Sequence, residues 1–391
     1  MTSPTTHAAS GPTWGGASKE RRPELDALRG IAALMVLVEH AQLLVPPIST
    51  PDIPGAGFAR WVLFEHTPLR ILDVGRPAVL FFFVLSGYVL THALLRWGSP
   101  GLLAFAAQRS IRLMLPVAAS VLLSVGLYLV FFDADVLPDL RDRILNTWLE
   151  PPTVAQILGN ALLLSTSEDL RLNIPLWSLV QEWRLTVLMP LVLLFRERPL
   201  QVVVIAAMVM LAGQMLGARE DEIQLGADLR GSIASTLYFA LPIGIGAALA
   251  VAGEFPQLGA RERILLGTLV LVMFSVKSDL GTYIGSAVLI VIAQQPGILQ
   301  RSLRRPTMVL LGTLSFSLYL VHVPVLVATM YALHGAAPPV VAASIGALLA
   351  LPAAALMRAT IEKPSQRLGR WAENHLAAHG LPAIMSRKAR R

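Results

Sequence analysis

The chain has 391 residues, of which 54% are hydrophobic and 15% charged, with a mean hydropathy of +0.62. A water-soluble domain does not carry so much apolar surface, so the composition points to an all-α, polytopic integral membrane protein. The absence of cysteine excludes disulfides, thiolate metal sites and cysteine nucleophiles, and the net charge of +7 is spread over short loops and a tail rather than gathered into the basic face that nucleic acid requires.

Residues 1–24 are polar and rich in Ser, Thr, Pro and Gly, with no apolar core ahead of a small-residue cleavage site. They read as a disordered cytoplasmic leader, and the first span then serves as an uncleaved signal anchor. A single membrane domain over 25–368 follows, and a basic cytoplasmic tail over 369–391 is suited to anionic lipid headgroups. Apolar runs cover 27–45, 74–95, 113–132, 174–195, 202–216, 233–251, 264–276, 282–293, 308–331 and 340–357, which gives about ten transmembrane helices. With both termini inside, cytoplasmic segments hold 22 of the 32 Lys and Arg residues and outer loops nine, leaving Arg184 within the fourth span. The reading is a multi-pass protein of the cell's inner membrane.

The first span carries Arg29 and His40 eleven positions apart. At 1.5 Å of rise per residue they are separated by roughly 16 Å, about half the hydrocarbon thickness, so a cation and a base sit at different depths. An ionisable group within a span needs a partner or a function. In the second span Ser86 and Gly87 follow a phenylalanine run, where small residues let backbones approach and a hydroxyl donates across the interface. Arg109 and Arg112 precede the third span at a spacing of three. They share one helix face, and their planar forks suit phosphate.

The long outer connection, 133–173, holds seven acidic residues against three arginines and an amphipathic stretch over 154–164, and reads as a solvated cap. The fourth span opens with Trp177 and Ser178 and carries Glu182 and Arg184, two positions apart and therefore on different sides of the helix. Glu182 is expected to bond a histidine or a substrate hydroxyl. Pro242, Gly244 and Gly246 mark a possible break in the sixth span. In the ninth, Ser315, Tyr319 and His322 fall on one stripe, with Pro324 just beyond. His40 and His322 are the two histidines expected deep in the membrane region, which is too few ligands for a metal site. Gathered together, these groups suit acyl transfer across a membrane, with His40 as general base, Glu182 orienting it, His322 and Tyr319 close by, and the arginines holding the phosphates of a thioester donor.

The order of these motifs resembles the membrane acyltransferase-3 family, the O-acetylases of bacterial surface polysaccharides and of some macrolide sugars. Arg29 with His40, Arg109 with Arg112, the run 82–87, the run 177–182, the run 315–322 and Glu362 with Pro364 match its motifs in sequence order. The resemblance implies acyl-CoA, usually acetyl-CoA, as donor, bound by Arg29, Arg109 and Arg112. It also implies a sugar hydroxyl of a glycan, glycolipid or glycosylated metabolite as acceptor, with Ser86, Trp177, Ser178 and Arg184 on the substrate side. Arg184 and Glu39 depart from the family pattern, and their opposite charges suggest mutual neutralisation across the first and fourth spans. The competing class is a transporter or flippase of a sugar or lipid, which would rely on helices broken at sites such as 242–246.

Overall fold

A computed structural model describes residues 22–45, 75–97, 102–140, 145–165, 168–220, 225–276 and 278–379, and every regular element among them is helical. The leader up to residue 21 and the tail beyond residue 379 lie outside the described residues. The main helices are α1 (Pro23–Leu43), α2 (Gly75–Trp97), α3 (Leu102–Phe131), α4 (Val154–Ala161), α5 (Leu176–Thr186), α6 (Pro199–Met215), α7 (Leu229–Tyr238), α8 (Ala240–Ala252), α9 (Ala260–Ser275), α10 (Asp279–Ala293), α11 (Pro306–Ala332), α12 (Pro339–Met357) and α13 (Lys363–His379). Helix α1 thus takes in Pro23 and Glu24, and α13 continues past Leu368 into the segment read as tail.

By length and composition, five helical runs among the described residues can cross a membrane: Gly75–Leu95, Leu103–Phe131, Leu229–Ala252, Pro306–Ala332 and Pro339–Ala378. A sixth is available if α5 and the 3-10 segment Met189–Phe195, bent by 44° at their junction, form one span. The expected ten are not reached, for identifiable reasons. Helix α1 is long enough but carries Glu24, Asp26, Arg29 and Glu39. The segments expected over 264–276 and 282–293 form helices of 16 and 15 residues, short for a bilayer.

Two pairs of helices are joined at glycine. Gly30 of α1 lies against the backbone of Leu311 and Gly312, and Gly312 lies against Asp26 and Ala27, so a side chain at either position would strike main chain. Ten residues on, His40 meets His322. The two contacts have one register, so α1 and α11 run parallel. Helices α2 and α8 cross antiparallel in the same manner, with Gly87 against Ile243 and Gly246 against Val84. Gly244 rests on Ala206 of α6. Helix α8 runs unbroken through Pro242, Gly244 and Gly246, and the two glycines serve close packing.

The connection over 133–173, read as outer, is anchored in its described parts. Trp148 is fully buried and donates its indole N–H to Ser124 Oγ at 2.9 Å, while Asn173 donates to the Leu320 carbonyl at 2.8 Å. The expected amphipathic segment forms α4, opened by a capping box between Thr153 and Gln156. At the other end of the chain, α12 passes into α13 through a π-helical turn over Arg358–Glu362, and α13 packs on α3.

Replacing Gly312 with alanine is expected to destabilise the detergent-solubilised protein by about 1–3 kcal/mol through overpacking against α1. Gly267→Ala, at a position with nothing within 4 Å of the added methyl, is expected to leave the thermal unfolding midpoint unchanged or slightly raised. Equal effects of the two substitutions would contradict the backbone contact.

Candidate functional site

Seven elements, with α13 contributing Gln366, converge on a cavity of about 370 Å³ near the amino-terminal halves of α1, α3 and α11. Helix α1 supplies Asp26 and Arg29, α2 supplies Phe82 and Ser86, and α3 supplies Arg109 and Arg112. Ser178 and Glu182 come from α5, Ser315 and Tyr319 from α11, and Arg358 and Glu362 from the π-turn. The three arginines singled out in the sequence are therefore brought together, and four guanidiniums face three carboxylates around the cavity.

These charges are unequally satisfied. Arg109 forms an ion pair with Glu182, whose Oε1 also accepts the Ser86 hydroxyl at 3.1 Å. The pair is enclosed, with side chains 8% and 16% exposed, so its attraction offsets a large desolvation cost only while both members are present. Glu182 faces an arginine and a serine, not the histidine anticipated for it. Glu362 accepts from Ser317 at 2.6 Å and from Gln366 at 2.8 Å, and Arg358 donates its Nε to the Thr313 carbonyl at 2.6 Å. Arg29 and Arg112, by contrast, make no hydrogen bond to any described residue. Five donors on each planar fork are left for an anion.

His40 and His322 lie one step beyond the cavity. Their rings stack with centroids 5.1 Å apart, and His40 Nδ1 is 2.8 Å from His322 Nε2. His322 is buried and its Nδ1 is 3.0 Å from the Leu318 carbonyl, while His40 is only partly buried. Neither ring lines the cavity. Tyr319 joins the two regions: it borders the cavity, its ring centre is 5.7 Å from that of His322, and its hydroxyl donates to the Pro175 carbonyl at 3.0 Å and shares a 2.7 Å hydrogen bond with Ser178. Phe82 meets the Tyr319 ring edge-on at 6.0 Å, and both side chains border the cavity.

Two expected substrate contacts are located elsewhere. Trp177 is buried between Phe83 and Phe239, with ring centres at 6.2 and 5.6 Å, and belongs to the aromatic core. Arg184 donates to Ser232 at 2.8 Å and to Thr236 at 3.1 Å, extending a polar seam in which Gln181 also bonds Ser235. The proposed neutralisation of Arg184 by Glu39 is thereby replaced: Arg184 spends its donors on α7, and the Glu39 carboxylate fills the space beside Gly75. Arg358 was not singled out by the sequence. Its place in a π-turn, which no residue pattern announces, is what turns it into the cavity.

The acyltransferase-3 family model, described as an acyltransferase domain, matches residues 22–359, well over half of the chain. No curated protein and no solved structure matches it.

Removal of one member of the enclosed pair leaves an uncompensated charge. Arg109→Leu or Glu182→Leu alone is expected to cost roughly 3–5 kcal/mol, and the double substitution is expected to recover a large part of that loss. Thermal unfolding of the three variants in detergent measures it; additive losses would mean that the two side chains do not depend on each other.

Proposed function

The chain belongs to the acyltransferase-3 family, and from that premise we propose that it is a membrane O-acyltransferase that moves an acetyl or similar acyl group from acyl-CoA to a hydroxyl of a sugar. The donor enters from the cytoplasm, in keeping with the positive charge of the segments read as cytoplasmic. The acceptor is a glycan, glycolipid or glycosylated metabolite at the outer side of the inner membrane. The observation that carries this reading is the pair Arg29 and Arg112, two cavity guanidiniums with no hydrogen bond to any described residue, beside the Arg109–Glu182 ion pair. A site built this way lowers the energy of a phosphorylated ligand by charge-assisted, bidentate hydrogen bonds.

In the proposed reaction the cavity arginines hold the donor's phosphates, and the thioester end extends past Tyr319 towards His40. The acceptor hydroxyl oxygen attacks the thioester carbonyl carbon while His40 takes its proton. The tetrahedral intermediate collapses with cleavage of the carbon–sulfur bond, and the departing thiolate recovers the proton from the imidazolium. The products are the sugar ester and free CoA thiol. Glu182 acts through Arg109 and Ser86, holding the guanidinium cluster in place rather than touching the reacting atoms.

Transfer of label from acetyl-CoA by the purified protein is expected to fall by about 10²–10⁴-fold in His40→Ala, the range of a lost general base. Arg112→Ala is expected to raise the KM for the donor with a smaller change in kcat, because a phosphate contact is made equally in the ground and transition states. Full turnover by His40→Ala would remove His40 from the chemistry, and an unchanged donor KM in Arg112→Ala would remove the phosphate site.

A further inference from the structure

The two histidines are held in a hydrogen-bonded series whose direction can be worked out. Leu318 contributes a carbonyl oxygen, which is an acceptor only, and it lies 3.0 Å from His322 Nδ1. That nitrogen must therefore carry a hydrogen, since two lone pairs at this distance repel. A neutral imidazole protonated at Nδ1 has an unprotonated Nε2. His322 Nε2 sits 2.8 Å from His40 Nδ1, so it accepts and His40 Nδ1 donates. The remaining nitrogen, His40 Nε2, then bears a lone pair and has no hydrogen-bond partner among the described residues.

The alternative is a doubly protonated His322 donating in both directions. It would place a cation in a ring that is 1% exposed, and no carboxylate is hydrogen-bonded to it among the described residues. Burying an unpaired charge costs far more than a neutral hydrogen bond. The reverse tautomer fails at the other end, where an unprotonated Nδ1 would face the carbonyl oxygen. Among the neutral arrangements of these two rings, one satisfies every contact.

We infer that His322 is a positioning residue: through the Leu318 carbonyl it fixes His40 as the Nδ1–H tautomer, so that Nε2 is the nitrogen that receives a proton. This role rests on the reading of His40 as general base, but the tautomer itself is a property of the resting protein. A neutral imidazole here takes the part that a carboxylate plays behind many catalytic histidines. It orients the ring and accepts a stronger hydrogen bond once His40 is charged. It cannot take the proton onward, because its own Nδ1–H points at a carbonyl that has no site for a further hydrogen. The proton taken by His40 must leave by the nitrogen through which it arrived, which suits a reaction that returns it to the leaving thiolate.

Two measurements test this separately. In protein labelled with ¹⁵N-histidine and held in lipid nanodiscs at neutral pH, without substrate, the His40 resonances, assigned by their loss in His40→Ala, are expected to show a pyridine-type Nε2 and a protonated Nδ1. The opposite assignment overturns the tautomer whatever the activity. In the transfer assay, His322→Leu is expected to lower kcat by about 10²-fold or more with little change in donor KM. His322→Gln, whose amide oxygen accepts from His40, is expected to restore a substantial part of kcat and return the His40 spectrum to the wild-type pattern. If Gln and Leu behave alike in both readouts while the variants remain folded, His322 only fills space. If the spectrum is as expected but His40→Ala keeps full activity, the proposed function fails and the tautomer stands.

Discussion

The contact between the α1 and α11 backbones at Gly30 and Gly312 governs what the rest of the bundle can do. Two parallel helices whose main chains touch have little freedom to slide, because a shift of one residue would bring a side chain into the place of a glycine. The same register, carried ten residues along, sets His40 against His322. Small residues at one level thus fix the distance between large polar rings at another. Towards the other end, α1 delivers Arg29 and Asp26 to the cavity and α11 delivers Ser315 and Tyr319, so the pair frames both the charged hollow and the imidazoles.

Around this axis the polar side chains fall into two kinds. Some are closed systems: Arg184 with Ser232 and Thr236, and Arg76 with Asp279, whose Oδ2 also accepts Tyr238 at 2.9 Å. These groups find partners within the protein, and they join α5 to α7 and α2 to α10. Others have no hydrogen-bond partner among the described residues, namely Arg29, Arg112 and His40 Nε2. In a low-dielectric interior, burial with partners stabilises a packing arrangement, whereas an ionisable group with donors to spare is where a functional role is sought first. The distinction separates the cavity from the structural ion pairs more clearly than the identity of the residues does.

Much of this was legible in the sequence. The apolar runs gave an all-helical membrane protein, and charge within those runs drew attention to Arg29, His40, Glu182 and His322. Arg109 and Arg112 could be placed on one face from spacing alone. What could not be read was pairing across helices. Glu182 carries a carboxylate with the chemistry to serve a histidine, and the packing of α3 against α5 directs it to Arg109 instead. Trp177 has the composition of a substrate platform but is enclosed by Phe83 and Phe239. Arg358 depends on a widened helical turn, a backbone feature with no residue signature. The number of spans was equally hard to fix, since α1 bears too many charges to pass as apolar and α9 and α10 are short.

The edge-to-face meeting of Phe82 and Tyr319 has a mechanical consequence. Tyr319 is gripped at both ends, by Phe82 at the ring and by Ser178 and the Pro175 carbonyl at the hydroxyl, while its ring also packs against His322. Displacing this side chain would break an aromatic contact and two hydrogen bonds at once, so the cavity lining and the imidazole pair are tied to one stiff strut.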